Sequence, residues 1–335
     1  MSTAPDVTRR SAPPAAGQCP VERSGVRFGL ALPQVFTAGA PDPALISAFA
    51  SEAERSGFDS LWVQSQLIGR SIVLDPITLL AFAAASTSTV GLGASVLIAP
   101  EYHPVQLAKQ LASLDNLSHG RLRVGLGTGS PQSTYQIAGM PRDRRAQRLI
   151  ETVEVMRALW TAPAADYHGE IYQIESLPME PKPLQPGGPP IWLGGRAARA
   201  LDRAARYGSG WMGPGASTEE MFRDQVATLQ ELLEANGRPV EEFTFAKRLY
   251  VTVDEDAAAA RRRMRARLNR YGHGDADSEK VAVCGNPGEV RAGIARYTQF
   301  LASIPGGGKR LLLLNPVADF LSQQRAIREL MAEAW

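Results

Sequence analysis

The sequence is poor in the residues from which metal centres and disulfide frameworks are built. It has two cysteines, Cys19 and Cys284, and four histidines in 335 residues. Two cysteines cannot form a disulfide framework or a zinc site, and no two histidines have the spacing of a metalloprotease motif. We therefore expect no metal centre, and two free thiols in a reducing, cytoplasmic compartment.

Long apolar runs and an excess of one charge are also missing. No apolar stretch approaches the ~20 residues that a membrane-spanning helix needs. The 36 Lys and Arg residues almost balance the 34 Asp and Glu residues, which gives a formal net charge of +2. A balanced charge without a basic run argues against nucleic acid as a partner. The composition indicates a soluble globular protein that needs neither a membrane nor a nucleic acid.

The first 24 residues differ from the rest, because they are rich in Ala, Pro and Ser and lack apolar periodicity. Arg9 and Arg10 resemble the start of a twin-arginine export signal, but no hydrophobic segment follows them. We interpret residues 1–24 as a disordered N-terminal tail and residues 25–335 as a single folded domain.

After this tail, strand and helix patterns alternate to the end of the chain. The predicted strands are short and almost entirely apolar, as in a parallel sheet that is covered on both faces. They are Val26–Leu32, Leu61–Val63, Val90–Ile98, a strand through Leu122, Val124 and Leu126, Pro190–Gly195, Gly210–Gly213, Phe243–Val253 and Lys309–Asn315. Helical patterns separate them, and the segment around residues 161–188 is an insertion with a predicted hairpin at Asp166–Tyr172. This order predicts an α/β fold, a (β/α)8 TIM barrel, with a doubly wound open sheet as the alternative.

In such a barrel, binding and catalytic residues gather at the carboxyl ends of the strands. These ends carry amides, hydroxyls, an arginine and bare backbone, but no carboxylate pair, Ser–His pair or metal cluster. That set suits chemistry carried by a bound organic cofactor. The candidates are Gln34, Gln64, Gln66, Ser95, Gly127–Ser130, Gly194–Arg196, Met212, Gly213, Arg248, Tyr250 and Asn315.

Two glycine-rich corners link a predicted strand to the segment after it. Gly127-Thr128-Gly129 and Gly194-Gly195-Arg196 can bring backbone N–H groups close to an anion, and the second corner opens a helix whose positive end adds to that attraction. Together they indicate a phosphate-bearing ligand, with two ligand-free tight turns as the alternative. Neither corner is a dinucleotide fingerprint.

Arg248 lies on a strand whose apolar residues, Phe245, Leu249 and Val251, alternate with Ala246, Arg248 and Tyr250. The apolar set should face the helices, which directs Arg248 into the barrel. A buried arginine needs an anion or a carboxylate, so Arg248 either faces the substrate or forms an internal structural pair.

Six segments in this order make the chain resemble the bacterial luciferase-like superfamily of flavin- and deazaflavin-dependent oxidoreductases over residues 25–318. They are Gly57–Val63, Val90–Ile98, His103–Lys109, Leu114–Gly129, Pro190–Gly195 and Gly208–Met212. The resemblance implies a dissociable reduced cofactor, either FMN or coenzyme F420. It also implies that Ala94, Ser95 and Val96 form a bulge, often with a cis peptide, behind the isoalloxazine ring. The ribityl phosphate would then bind to Gly127, Thr128 and Gly129 with Gly194, Gly195, Arg196 and Ala197.

One departure from the family concerns the segment after the second strand. Many deazaflavin-dependent relatives carry an Asp-His pair where this chain has Ser65-Gln66. Glutamine cannot transfer a proton as histidine does, although Gln66 can still hydrogen-bond the ring edge or orient a substrate. We therefore treat Gln66 and Arg248 as the candidate catalytic residues.

Three functions are compatible with these residues. The first is hydride transfer between F420 and a small organic substrate, and the second is an FMNH2-dependent two-component monooxygenase whose pocket shelters the reduced flavin from water. The third is a non-catalytic flavin-binding barrel. A separate flavin or F420 reductase is a possible partner of the enzymes. The apolar helix around Leu79–Ala85 predicts a homodimer.

Overall fold

The computed structural model describes residues 22–36, 39–67, 71–129, 143–270, 278–306, 308–317 and 319–332. Within them, eight parallel strands form one closed barrel, because the first strand pairs with both the second and the eighth. The (β/α)8 prediction is therefore confirmed, and the open-sheet alternative is wrong. The strands are β1 (Val26–Ala31), β2 (Ser60–Val63), β3 (Gly91–Ile98), β4 (Leu122–Gly127), β5 (Ile191–Gly194), β6 (Gly210–Gly213), β7 (Thr244–Val253) and β8 (Lys309–Pro316).

The helices surround the barrel and begin where local chemistry favours a helix start. Asp42, Asp75, Thr218 and Asn286 each cap a helix by accepting a backbone N–H. Among the described residues, no helix has both the length and the apolar character to cross a bilayer. The helices are α1 (Pro43–Arg55), α2 (Pro76–Ala85), α3 (Pro104–Leu117), α4 (Arg145–Thr161), α5 (Ala198–Tyr207), α6 (Glu219–Ala235), α7 (Ala257–Arg270), α8 (Ser278–Val281), α9 (Pro287–Ser303) and α10 (Phe320–Ala332).

Several short strands lie outside the barrel order. Ala282–Gly285, which the sequence did not predict, pairs in parallel with the carboxyl half of β7, beyond the point where β6 ends. The predicted hairpin of the insertion is formed by Ala164–His168 and Gln173–Pro178, so its second strand begins after Tyr172. Glu22–Arg23 pairs with β1, while residues 1–21 of the predicted tail lie outside the described residues.

Two tryptophans fill the centre of the barrel. The indoles of Trp62 and Trp192 stack with their ring centroids 5.1 Å apart, within an interior cluster that also contains Met212, Leu311 and Leu313. There is room for Trp62 because Gly29 and Gly93, on the strands to either side of β2, lack side chains. A Cβ added at Gly29 would lie 2.7 Å from Trp62 Nε1.

The amino-terminal end of the barrel is closed by ion pairs around Asp59. This nearly buried carboxylate contacts Arg123 and Arg27 and accepts a hydrogen bond from Ser60. Burial raises the pKa of Asp59, but the attraction of Arg123 and these hydrogen bonds outweigh it and hold the pKa below its ordinary value. The polar end and the indole stack leave the carboxyl end of the barrel as the open one.

Gly93→Ala should destabilise the protein by about 1–3 kcal/mol, because an added methyl cannot share the interior with Trp62. The new Cβ would lie 2.6 Å from Trp62 Cε3. Urea unfolding measures the change. Gly288→Ala in α9 is the control, since its Cβ would meet only Asn286 Oδ1 at 3.4 Å. That variant should be neutral or more stable by up to ~1 kcal/mol. Equal stability of the two variants would contradict the packing argument.

Candidate active site

The two glycine corners and the bulge of β3 meet in one cleft at the carboxyl end of the barrel. The cleft has a volume of about 280 Å³. It contains all the predicted cofactor-binding residues except Ala94, which is buried inside the bulge, and Ala197, which caps α5 and is exposed. The described lining residues are Ser95, Val96, Gly127, Thr128, Gly129, Gly194, Gly195, Arg196, Met212, Gly213, Pro214, Gly215 and Arg248.

The bulge that the resemblance implied is present in β3. The pairing of β3 with β4 shifts register between Ala94 and Leu97, and the Ser95–Val96 peptide is cis. Val96 packs against both glycine corners. A Cβ at Gly127 would lie 2.8 Å from one Val96 methyl, and a Cβ at Gly194 would lie 3.1 Å from the other. Glycines at these positions therefore let the bulge and the two corners share one end of the barrel.

Each corner has one glycine in a backbone conformation that favours glycine. The φ angle is 67° at Gly129 and 137° at Gly195. A side chain at either position would strain the backbone, and a β-branched one would strain it most. The first corner continues into residues 130–142, which lie outside the described part of the chain.

The second corner is held from the helix layer. Trp211 Nε1 donates to the Gly195 carbonyl at 2.8 Å, and Gln225 Nε2 donates to the Arg196 carbonyl at 3.3 Å. The C=O and N–H of a trans peptide point in opposite directions. The amides of Arg196 and Ala197 are thus directed away from Trp211 and Gln225, at the start of α5. Such an arrangement suits the binding of an anion.

Arg248 lies between this cleft and a second, smaller cavity deeper in the barrel mouth. Its guanidinium donates to the Ser95 carbonyl at 3.2 Å and to Gln64 Oε1, and it lies 5.2 Å from the ring centroid of Tyr250. These partners are uncharged, so the contacts shown do not form the structural pair with a carboxylate. Its Nε is buried and has no hydrogen-bond partner within the described residues, which leaves a donor for a ligand.

The second cavity is mainly apolar, with a few amide and guanidinium groups. One apolar side is formed by Trp62 from β2 and Phe320 from α10. Its described lining residues are Ala31, Leu32, Gln34, Val35, Trp62, Val63, Gln64, Ser95, Arg248, Arg267, Asn315, Pro316 and Phe320. Sequence reasoning placed Gln34, Gln64 and Asn315 at strand ends but gave them no role, and it did not find Arg267, which comes from α7.

A glutamine pair fixes Gln64 beside Arg248. Gln34 is buried, and its Nε2 donates to the carbonyls of Gln64 and Leu74 at 2.7 and 2.8 Å. Its Oε1 accepts the Gln64 backbone N–H at 2.8 Å. Gln66 is half-buried two residues further along and is not among the described residues that line either cavity. A catalytic role for Gln66 stays a prediction.

Comparison with known proteins gives partial matches to curated relatives and a nearly full match to a solved structure. An uncharacterised protein of Mycobacterium tuberculosis is 36% identical over 165 residues, which cover 49% of this chain and 58% of that protein. The FMNH2-dependent dimethylsulfone monooxygenase of Pseudomonas putida is 30% identical over 198 residues, which cover 57% of this chain and 54% of the relative. The chain thus spans about half the length of the curated relatives it matches.

The solved structure is an F420-dependent secondary alcohol dehydrogenase. It has a TM-score of 0.77 at 19% identity and covers 91% of this chain and 98% of its own, which is a likeness of fold. The family model described as luciferase-like monooxygenase matches residues 26–280, a range that includes both glycine corners, the bulge and Arg248. The chain therefore belongs to the luciferase-like monooxygenase family.

Proposed function

We propose that this protein is the oxygenase component of an FMNH2-dependent two-component monooxygenase that acts on a small organic molecule. The observation that carries the proposal is the single cleft formed by both glycine corners, the bulge and Arg248. Such a cleft offers an anion site at one end and a hydrogen-bond donor at the other, about where a phosphate and a flavin ring would separate.

The described residues fit a flavin on two counts. The backbone amides of the second corner, at the start of α5, supply donors for a terminal phosphate. The buried, unpartnered Nε of Arg248 supplies a donor for the carbonyl edge of an isoalloxazine ring. Gly127, Thr128 and Gly129 would contact the phosphate from the other corner, and Ala94, Ser95 and Val96 would lie behind the ring.

Reduced FMN, when bound, supplies the two electrons with which one oxygen atom of O2 enters the substrate and the other leaves as water. The protein's contribution is position and exclusion of water. Arg248, fixed by Gln64 and the Ser95 carbonyl, orients the polar edge of its ligand, and the apolar surfaces of Trp62 and Phe320 keep the inner cavity dry. The described lining side chains are arginines, amides, hydroxyls and apolar groups, which do not exchange protons near neutral pH.

This proposal reverses the order of the two cofactors favoured by the sequence. Hydride transfer with F420 comes second here, because the F420-dependent structure is alike only in fold, whereas the 30% identical relative is FMNH2-dependent. The monooxygenase requires a separate reductase to supply FMNH2, so we propose a flavin reductase as partner and a dissociable reduced cofactor.

Cofactor choice can be measured by anaerobic titration of the protein with reduced FMN and, separately, with reduced F420. We expect reduced FMN to bind at least about tenfold more tightly, a difference of about 1.4 kcal/mol. When O2 is then admitted, the protein should delay release of hydrogen peroxide relative to free FMNH2, because the cavity excludes water. Tighter binding of F420 would instead support hydride transfer, and binding of neither would contradict a flavin-type enzyme.

Gly129→Val and Gly195→Val should each weaken binding of reduced FMN by roughly ten- to a thousandfold while the barrel stays folded. Both residues lie at the corners and have positive φ, where a branched side chain distorts the backbone that meets the phosphate. Gly237→Val is the matched control, since Gly237 also has positive φ, at 63°, but lies after α6 and outside the cleft. Unchanged affinity in both folded corner variants would contradict the phosphate site.

We also propose that the protein forms a homodimer through α2. The side chain of Phe82 on this helix is 39% exposed in the single chain. Light scattering at micromolar concentration should give the mass of a dimer, and Phe82→Glu should shift it toward the monomer because a charge at an apolar interface is costly. Leu184→Glu, at an exposed position of the insertion, should leave the dimer intact. A monomeric wild-type protein would refute the proposal.

A further inference from the structure

Strand β7 directs two neighbouring cationic side chains to opposite faces. Arg248 faces the barrel interior, whereas Lys247 faces the helix layer and is 0% exposed. Its Nζ lies 5.4 Å from the ring centroid of Phe222 on α6 and 5.9 Å from that of Tyr297 on α9. A fully buried lysine is rare unless polar partners replace the water it has lost. The sequence carries the signal, since Lys247 interrupts an otherwise apolar set of helix-facing residues.

The partners of Lys247 all belong to the loop that follows β6. Nζ donates to the Pro214 carbonyl at 2.7 Å, to the Ser217 carbonyl at 3.3 Å and to Ser217 Oγ at 2.6 Å. Ser217 Oγ donates in turn to the Pro214 carbonyl at 2.9 Å. The three donors of the ammonium group are thus used, and they join the two ends of the loop 214–217. Burial, and repulsion from Arg248, lower the pKa of Lys247 to about 7.

The same loop is a wall of the cleft. Pro214 and Gly215 line it directly. On the other side the loop packs on Tyr250, because a Cβ added at Gly215 would lie 2.8 Å from Tyr250 Cε2. Tyr250 in turn contacts Arg248. The loop therefore lies between the buried ammonium group and the two residues that border the mouth of the barrel.

We propose that Lys247 is a positioning residue, which holds the loop 214–217 in the conformation that forms one wall of the cofactor cleft. The relevance of this wall to a flavin rests on the proposed function, but the tether itself involves only residues of this chain. Lys247 does not line the cleft, so its effect on binding is indirect and acts through Pro214 and Gly215.

The tether can be tested without any cofactor, by hydrogen exchange of the amides of residues 215–217. Lys247→Met keeps the length of the side chain but removes its donors, and should raise exchange at these amides at least about tenfold, the equivalent of one or two lost hydrogen bonds. Lys182→Met is the matched control. Lys182 Nζ donates to the carbonyls of Leu159 and Ala162 at 2.9 and 2.6 Å, outside the cleft, so its loss should not change exchange at 215–217.

Titration with reduced FMN completes the test. We expect Lys247→Met to raise the Kd for reduced FMN about tenfold or more, while Lys182→Met matches the wild type even if its Tm falls. If Lys247→Met does not fold, Ser217→Ala takes its place, since it removes one acceptor and the bond to Pro214. Unchanged exchange at 215–217 would overturn the proposal, and faster exchange with unchanged Kd would overturn the link to the cofactor. If the wild type binds no flavin, the proposed function fails, and the exchange measurement alone decides whether Lys247 holds the loop.

Discussion

The volume inside the closed barrel is the constraint on which the rest of the structure depends. Eight strands leave room for a limited set of side chains, and the stacked indoles of Trp62 and Trp192 occupy the centre. This is possible because Gly29 and Gly93 lie where larger residues would collide with Trp62. The indoles form a floor, so polar groups that point inward above them, Arg248 among them, lie at the open carboxyl end rather than in a sealed core.

Strand β7 couples this core to the candidate active site. Its alternation places Arg248 over the inner cavity and Lys247 in the helix layer, and both side chains are held by neutral oxygen acceptors. Each acceptor belongs to a segment that borders the cleft: the bulge at Ser95, the end of β2 at Gln64, and the loop after β6. The geometry of the cleft thus depends on two buried cations as well as on the glycine corners. A change in β7 would be expected to alter binding and stability together.

Much of the architecture could be predicted from the sequence, because its signals are local. Prolines and Asx or Thr caps mark helix starts, and short apolar runs mark strands buried on both faces. The bulge at Ala94–Val96 and both corners were found through ordered motifs that act within a few residues. The strand Ala282–Gly285 was missed because it forms only where β6 ends and leaves the edge of β7 unpaired. No local pattern reports that vacancy.

The sequence by itself determined the fold class, the family resemblance and the membership of the cleft, since these follow from periodicity, caps and glycine at fixed positions. Tertiary structure decided how the side chains are used. Gln64 was one of several polar residues at strand ends, and only the approach of β7 across the barrel mouth places it on Arg248. Lys247 was an exception in an apolar pattern, and only the packing of α6 and α9 over β7 buries it and directs its ammonium group to the loop 214–217. These contacts join residues far apart in the chain, so their existence depends on barrel closure and not on any local sequence preference.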